Sequence, residues 1–118
     1  MKDNLIQRKT YDFALKIIKV YKNLNDEKKE FILSKQLIRS GTSIGANIEE
    51  AIGGQSEKDF ISKLSIAYKE ARETKYWIKL LYDSKYIESV VFEDLINDID
   101  VILRVIGSIQ KTMKNHNS

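Results

Sequence analysis

The chain has 118 residues and contains no cysteine, no proline, one histidine and one tryptophan. Without cysteine there is no disulfide framework and no thiol chemistry, and a metal site would have to be built from carboxylates and a single imidazole. A reducing cytoplasm is the natural setting for such a composition. The one histidine, His116, lies among polar residues near the end. No imidazole is therefore placed to act as the base of a nucleophilic triad or to supply the paired Glu-x-x-His motifs of a di-iron bundle. No metal and no cofactor are expected. The missing proline removes the strongest helix breaker, and abundant Lys, Glu, Ile and Leu suit long helices joined by short polar turns. The opening residues lack the unbroken apolar core of a signal peptide, and charges interrupt every candidate membrane span. A single soluble domain is expected, long enough to bury most of its apolar surface unaided.

Four helical segments are legible. The first runs from about Asn4 to Leu24 with Ile6, Phe13, Ile17 and Leu24 inward, and Asn23, Asn25 and Asp26 break it. The second runs from about Glu27 to Ile52 and stops at Gly53-Gly54. Ser56, with Asp59 three residues on, opens the third, which reaches about Ser84. The fourth, from about Val90 to Met113, carries Phe92, Leu95, Ile99, Ile102, Ile106, Ile109 and Met113 three and four residues apart, a bundle seam. Its acids Glu93, Asp94, Asp98 and Asp100 precede Arg104, Lys111 and Lys114, an order that complements the helix dipole. The expected architecture is all-α, an antiparallel up-down-up-down four-helix bundle over residues 1–114 with a frayed tail at 115–118. Helices three and four are apolar outside their main stripes, at Ile66, Tyr68, Trp77, Leu80 and Tyr82, and at Ile96, Val101, Leu103 and Val105. That surplus points to contact with a neighbouring subunit, ordinary scattered surface aliphatics being the alternative.

The stretch Gln36 to Ala51, QLIRSGTSIGANIEEA, is unusual for a helix. Leu37, Gly41, Ile44, Ile48 and Ala51 mark one face, yet Gly41 and Gly45 each cost a helix interior roughly 1 kcal/mol relative to Ala. Tertiary contacts must offset that cost, and the GxxxG spacing lets another helix approach closely. As a phosphate loop the stretch fails, having neither the lysine nor the strand-loop-helix setting. Arg39, Ser43, Asn47 and Glu50 form a polar stripe. In a hairpin turning at Gly54, Arg39 lies level with Lys69 and Glu70. A buried pair between Arg39 and Glu70 or Glu73 is expected, part of a structural network fixing helix register; a ligand pocket is the alternative.

Two blocks carry a family resemblance. Gln36, Leu37, Arg39, Ser43, Ile44, Ala46, Asn47, Ile48 and Glu50 form the first; Phe60, Leu64, Ala67, Glu70, Glu73, Thr74, Tyr76 and Trp77 form the second. In these residues the chain resembles the four-helix-bundle proteins of 23S rRNA intervening sequences, a family that includes the accessory variability protein of diversity-generating retroelements. Many members carry Gly after the signature Glu, where this chain has Ala51 followed by Gly53-Gly54. The resemblance implies a homopentameric barrel without a settled activity, and accessory members that engage nucleic acid and a reverse transcriptase.

The formal net charge is +3 and the pI about 9.0. Residues 1–24 and 55–86 are net positive, while 25–54 and 87–118 are net negative. Helix one carries Lys16 and Lys19 with Arg8 beside Asp12; helix three carries Lys69, Arg72, Lys75 and Lys79 beside Tyr68 and Tyr76. A solvated charged face is the ordinary explanation. Repeated around a symmetry axis, the same clusters would sum into a field able to hold a nucleic-acid backbone. The expected function is a non-enzymatic oligomer that binds RNA or DNA through Lys16, Lys19, Lys69, Arg72, Lys75 and Lys79. Association with a reverse transcriptase or an rRNA element is what the resemblance adds. A protein-interaction scaffold whose basic surface is incidental is the alternative, with a small enzyme a distant third.

Overall fold

The computed structural model describes residues 5–116, the side chain of His116 excepted. Four helices follow one another: α1 Leu5–Asp26, α2 Leu33–Ile52, α3 Glu57–Asp83 and α4 Ser89–His116. Each packs on its sequence neighbour, and α1 closes the bundle on α4, leaving α1 and α3 diagonally opposed, as are α2 and α4. This is the antiparallel up-down-up-down arrangement, 48 Å long and 21 Å across. The core is the set of apolar stripes read from the sequence: Phe13 and Ile17 from α1, Leu37, Ile44 and Ile48 from α2, Leu64, Ile78 and Leu81 from α3, and Leu95, Ile99, Ile102 and Ile106 from α4.

The element ends differ from expectation in instructive ways. The α2 helix begins at Leu33 rather than near Glu27. Residues 27–32 form a connection in which Lys29 takes a left-handed backbone, φ 55°, and the chain doubles back so that Glu30 N–H donates to the Leu24 carbonyl at 2.9 Å. The Glu30 carboxylate then accepts from the backbone N–H groups of Ile32, Leu33 and Ser34 at 3.1, 2.9 and 2.7 Å. A helix start leaves four N–H groups without intrahelical partners, and here one buried acid serves three of them. At the start of α3 the Ser56 hydroxyl accepts from Asp59 N–H at 3.1 Å, the cap anticipated from the Ser56–Asp59 spacing. The α3 helix closes on Lys85, φ 71°, with Tyr86 N–H to the Leu81 carbonyl and Lys85 N–H to the Tyr82 carbonyl, a Schellman closure made without glycine. The α4 helix extends to His116, so Asn115 and the His116 backbone are helical. The expected start at Asn4 and the tail residues Asn117 and Ser118 lie outside the described residues.

Gly41 and Gly45 serve the α1–α2 crossing. A β-carbon at Gly41 would stand 2.9 Å from Ile17 Cγ2, and one at Gly45 would stand 3.4 Å from the Thr10 carbonyl oxygen. The close approach draws buried Thr10 against α2, where its hydroxyl donates back to the Ile6 carbonyl at 2.8 Å. On the other side of α2, buried Ser40 and Thr74 hydroxyls meet at 2.9 Å. Small residues on α2 thus let both neighbours come near, which is where the propensity cost of the stretch is recovered.

The apolar surplus falls elsewhere than expected. Tyr68, Trp77, Tyr82, Ile96, Leu103 and Val105 are partly buried against the core, and Tyr82 stacks on Phe92 with ring centroids 4.1 Å apart. The large exposed apolar side chains include Tyr11 and Leu15 on α1, Phe31 and Ile32 before α2, and Val90 and Val91 opening α4, besides Ile66 and Tyr76.

Candidate functional site

The polar stripe of α2 resolves into separate pieces. Arg39 does reach across to α3, pairing with Glu70 at 3.2 Å and with Glu73. Glu73 also accepts from the Trp77 indole N–H at 2.9 Å, an i, i+4 contact along α3. The expectation of a buried pair is corrected: the Arg39 side chain is 49% exposed and that of Glu73 36%. Long side chains bridging at the rim of two helices keep their charged ends in water. Ser43 and Asn47 do not join the network, since each donates to its own helix, to the Ser40 and Ser43 carbonyls. Glu50 pairs instead with Lys63 at 2.7 Å. Hydrogen bonds from Trp77 and then Arg39 hold the Glu73 carboxyl below its ordinary range, and the Glu73 bond raises the Arg39 guanidinium.

The six cations singled out from the sequence do not form one surface. Lys16 and Lys19 lie on α1, diagonal to the α3 group. Lys16 is held by Asp98 at 2.8 Å and Asp94 at 3.0 Å, and these bonds raise its pKa. Lys75 is held by Asp100 at 2.8 Å. Three of the four α4 acids, Asp94, Asp98 and Asp100, therefore brace the flanking helices, and the first turn of α4 contains no acid to meet the helix dipole. Such bridges depend on the register of helices far apart in sequence, for which the local pattern holds no signal. Trp77 and Glu30 are further polar partners outside the expected set. The Glu73–Trp77 spacing was a usable signal; the fold-back of Glu30 was not.

Of the six cations, Lys19 on α1 and Lys69, Arg72 and Lys79 on α3 make no ion pair among the described residues, and the three on α3 form a stripe with Tyr76. Lys69, Arg72, Tyr76 and Lys79 recur three, four and three residues apart, hence on one helical face. All four are exposed, and none of the three cations has a carboxylate within ion-pair distance among the described residues. Beside the stripe runs a shallow groove of about 280 Å³ lined by Tyr68, Arg72, Lys75, Tyr76, Lys79 and Leu103 of α4. A larger groove of about 820 Å³ lies at one end of the bundle, between the close of α1 and the α3–α4 turn, with Val20, Ile87, Val90 and Val91 among its walls. No group of three or more His, Cys, Asp and Glu able to hold a metal occurs among the described residues, and none of their helices is long and apolar enough to cross a membrane.

Comparison with known proteins places this geometry in context. The chain matches the family model of the 23S rRNA-intervening sequence protein over residues 2–108. A crystal structure at 1.70 Å of a protein of unknown function, from the S23 ribosomal protein family of Bacteroides thetaiotaomicron, is similar at TM-score 0.91 and 51% identity, covering 94% of this chain and 99% of that one. No curated protein matches. The family match runs from before α1 well into α4 and the four-helix likeness holds at high identity: the chain belongs to the 23S rRNA-intervening sequence protein family.

Proposed function

We propose that the chain is a non-enzymatic, cytoplasmic bundle that assembles as a homo-oligomer, a pentamer being favoured, and holds nucleic-acid backbones on the outer face of α3. Its setting would be as an accessory to a reverse transcriptase or an rRNA-associated element. The observation that carries this reading is the row Lys69, Arg72 and Lys79, three exposed cations with no carboxylate partner among the described residues, while Lys16 and Lys75 are consumed by braces. Free cations at helical spacing neutralise phosphates and release counterions, and a symmetric assembly would repeat the row around its axis. Lys16 and Lys75, each already ion-paired, contribute less than their charge implies; Lys19 remains an exposed auxiliary on another corner of the bundle.

Fluorescence-anisotropy titration of labelled RNA and DNA across a salt series tests the proposal. Replacing Lys69, Arg72 and Lys79 together by Gln, which keeps good helix propensity, should leave helicity intact. The log–log salt slope should flatten by about 0.7–0.9 per lost phosphate contact, with affinity falling alike for unrelated sequences. A parent protein that binds no nucleic acid at low salt overturns the reading. A second reading, a protein-interaction scaffold, draws on the apolar groove at the bundle end, with exposed Val90 and Val91 beside it. Partner binding there would change little with salt.

A further inference from the structure

Deepening that reading and resting on it, we infer that the α3–α4 groove takes single-stranded nucleic acid, with a base stacked on Tyr76 and flanking phosphates on Arg72 and Lys79. Tyr76 is 56% exposed and stands between the exposed cations Arg72 and Lys79 on one wall of the groove. It stands four residues after Arg72 and three before Lys79, so the cations bracket the ring along one helical face over about 10 Å. The ring is also held in place. Its centroid lies 5.1 Å from that of Trp77 at an interplanar angle of 67°, an edge-to-face contact. Trp77 is in turn anchored by its indole N–H to Glu73, which Arg39 holds from α2. Polar contacts from α2 thus fix Trp77, and its ring in turn abuts the more than half-exposed ring of Tyr76. Tyr68 provides the groove's second aromatic wall, its Cε1 lying 3.8 Å from where a β-carbon would stand on Gly107, so that its ring rests against α4.

The chemistry favours a strand over a duplex. In a duplex the bases are stacked on one another and present phosphates to a helix face, so the exposed ring would gain nothing. A single strand offers a free base face as well as phosphates, and aromatic rings interspersed with cations serve both without regard to sequence. An apolar protein segment fits less well, since seating it would strip water from Arg72 and Lys79 with no carboxylate to receive them. Lys75 lines the groove but is committed to Asp100, which leaves Arg72 and Lys79 as the phosphate contacts.

The test uses oligo-U, oligo-dT and a mixed-sequence DNA duplex, each titrated into the full chain, with the two strands telling RNA from DNA. Tyr76→Ala should weaken single-strand binding by about tenfold or more, Tyr76→Phe should stay within about twofold of the parent, and the loss on duplex should be much smaller. The salt slope should hardly move in Tyr76→Ala but should flatten by about 0.7 per contact for single strands in Arg72→Gln and in Lys79→Gln. Trp77 is the only tryptophan, so its emission should change on binding of strand and not of duplex. Single-strand affinity unchanged in Tyr76→Ala, or equal losses on strand and duplex, overturns the inference while leaving backbone binding intact. Failure of the parent to bind any of the three at low salt overturns the nucleic-acid reading and this inference with it.

Discussion

Arg39 shows how exposure sets the energetic weight of an ion pair. Buried, its loss would strand two carboxylates at a cost of about 3–5 kcal/mol. At 49% exposure, water and salt screen the pair. Arg39→Ala should therefore cost about 1 kcal/mol or less, a shift of a few degrees in the melting temperature, with Glu73 still hydrogen-bonded to Trp77. A loss above about 3 kcal/mol would show that the pair is desolvated in solution. The pH dependence follows from Glu73, whose folded pKa lies below its unfolded value. Its contribution is present above the ordinary carboxylate pKa and fades as pH falls through the folded value, so stability should rise with pH across that acidic window. Glu73→Gln should flatten the acid limb of the denaturation curve.

The sharpest consequence for an element concerns the start of α2. Glu30 is 8% exposed and accepts three backbone N–H groups, so it performs the work normally done by a Ser, Thr or Asp cap. Glu30→Ala should destabilise by about 2 kcal/mol, through the lost hydrogen bonds to its carboxylate and the N–H groups left unpaired at a partly buried helix start. Glu30→Gln should recover part of this, because its amide oxygen can still accept. Chemical denaturation would report the change as a lower midpoint at constant slope; a midpoint unmoved in Glu30→Ala would mean that water caps α2 equally well. The helices themselves were legible from periodicity, and the start of α2 was not. Asn25 to Lys29 offer turn residues followed by charged helix formers, and only the return of the chain onto the Leu24 carbonyl places the cap.

For the whole molecule, the exposed apolar side chains decide whether the bundle associates. Phe31 and Ile32 before α2 and Val90 and Val91 opening α4 all lie at one end, because the up-down-up-down path brings the α1–α2 and α3–α4 connections together there. Association would remove these side chains from water. Light scattering at micromolar concentration should give a multiple of the 13.7 kDa chain mass, five being the favoured multiple. Replacing Ile32 and Val90 by Ser should shift the population toward smaller species if this end forms the contact. A parent that is monomeric at that concentration would remove the oligomer and the repeated basic field with it.

Local regularities were enough to determine the helices, their inward faces, the α3 cap and the need for close helix approach at Gly41 and Gly45, since each depends on residues a few positions apart. Only the tertiary structure decided which helix uses those glycines, that Arg39 lies at a half-exposed rim, and that Asp94, Asp98 and Asp100 consume Lys16 and Lys75. Charge pairing across a bundle depends on register and on which helices are diagonal. A one-turn slip, about 5.4 Å, would exchange one set of partners for another without altering a single helical pattern. For the same reason only the bridge to Asp100 separates Lys75 from its α3 neighbours Lys69, Arg72 and Lys79.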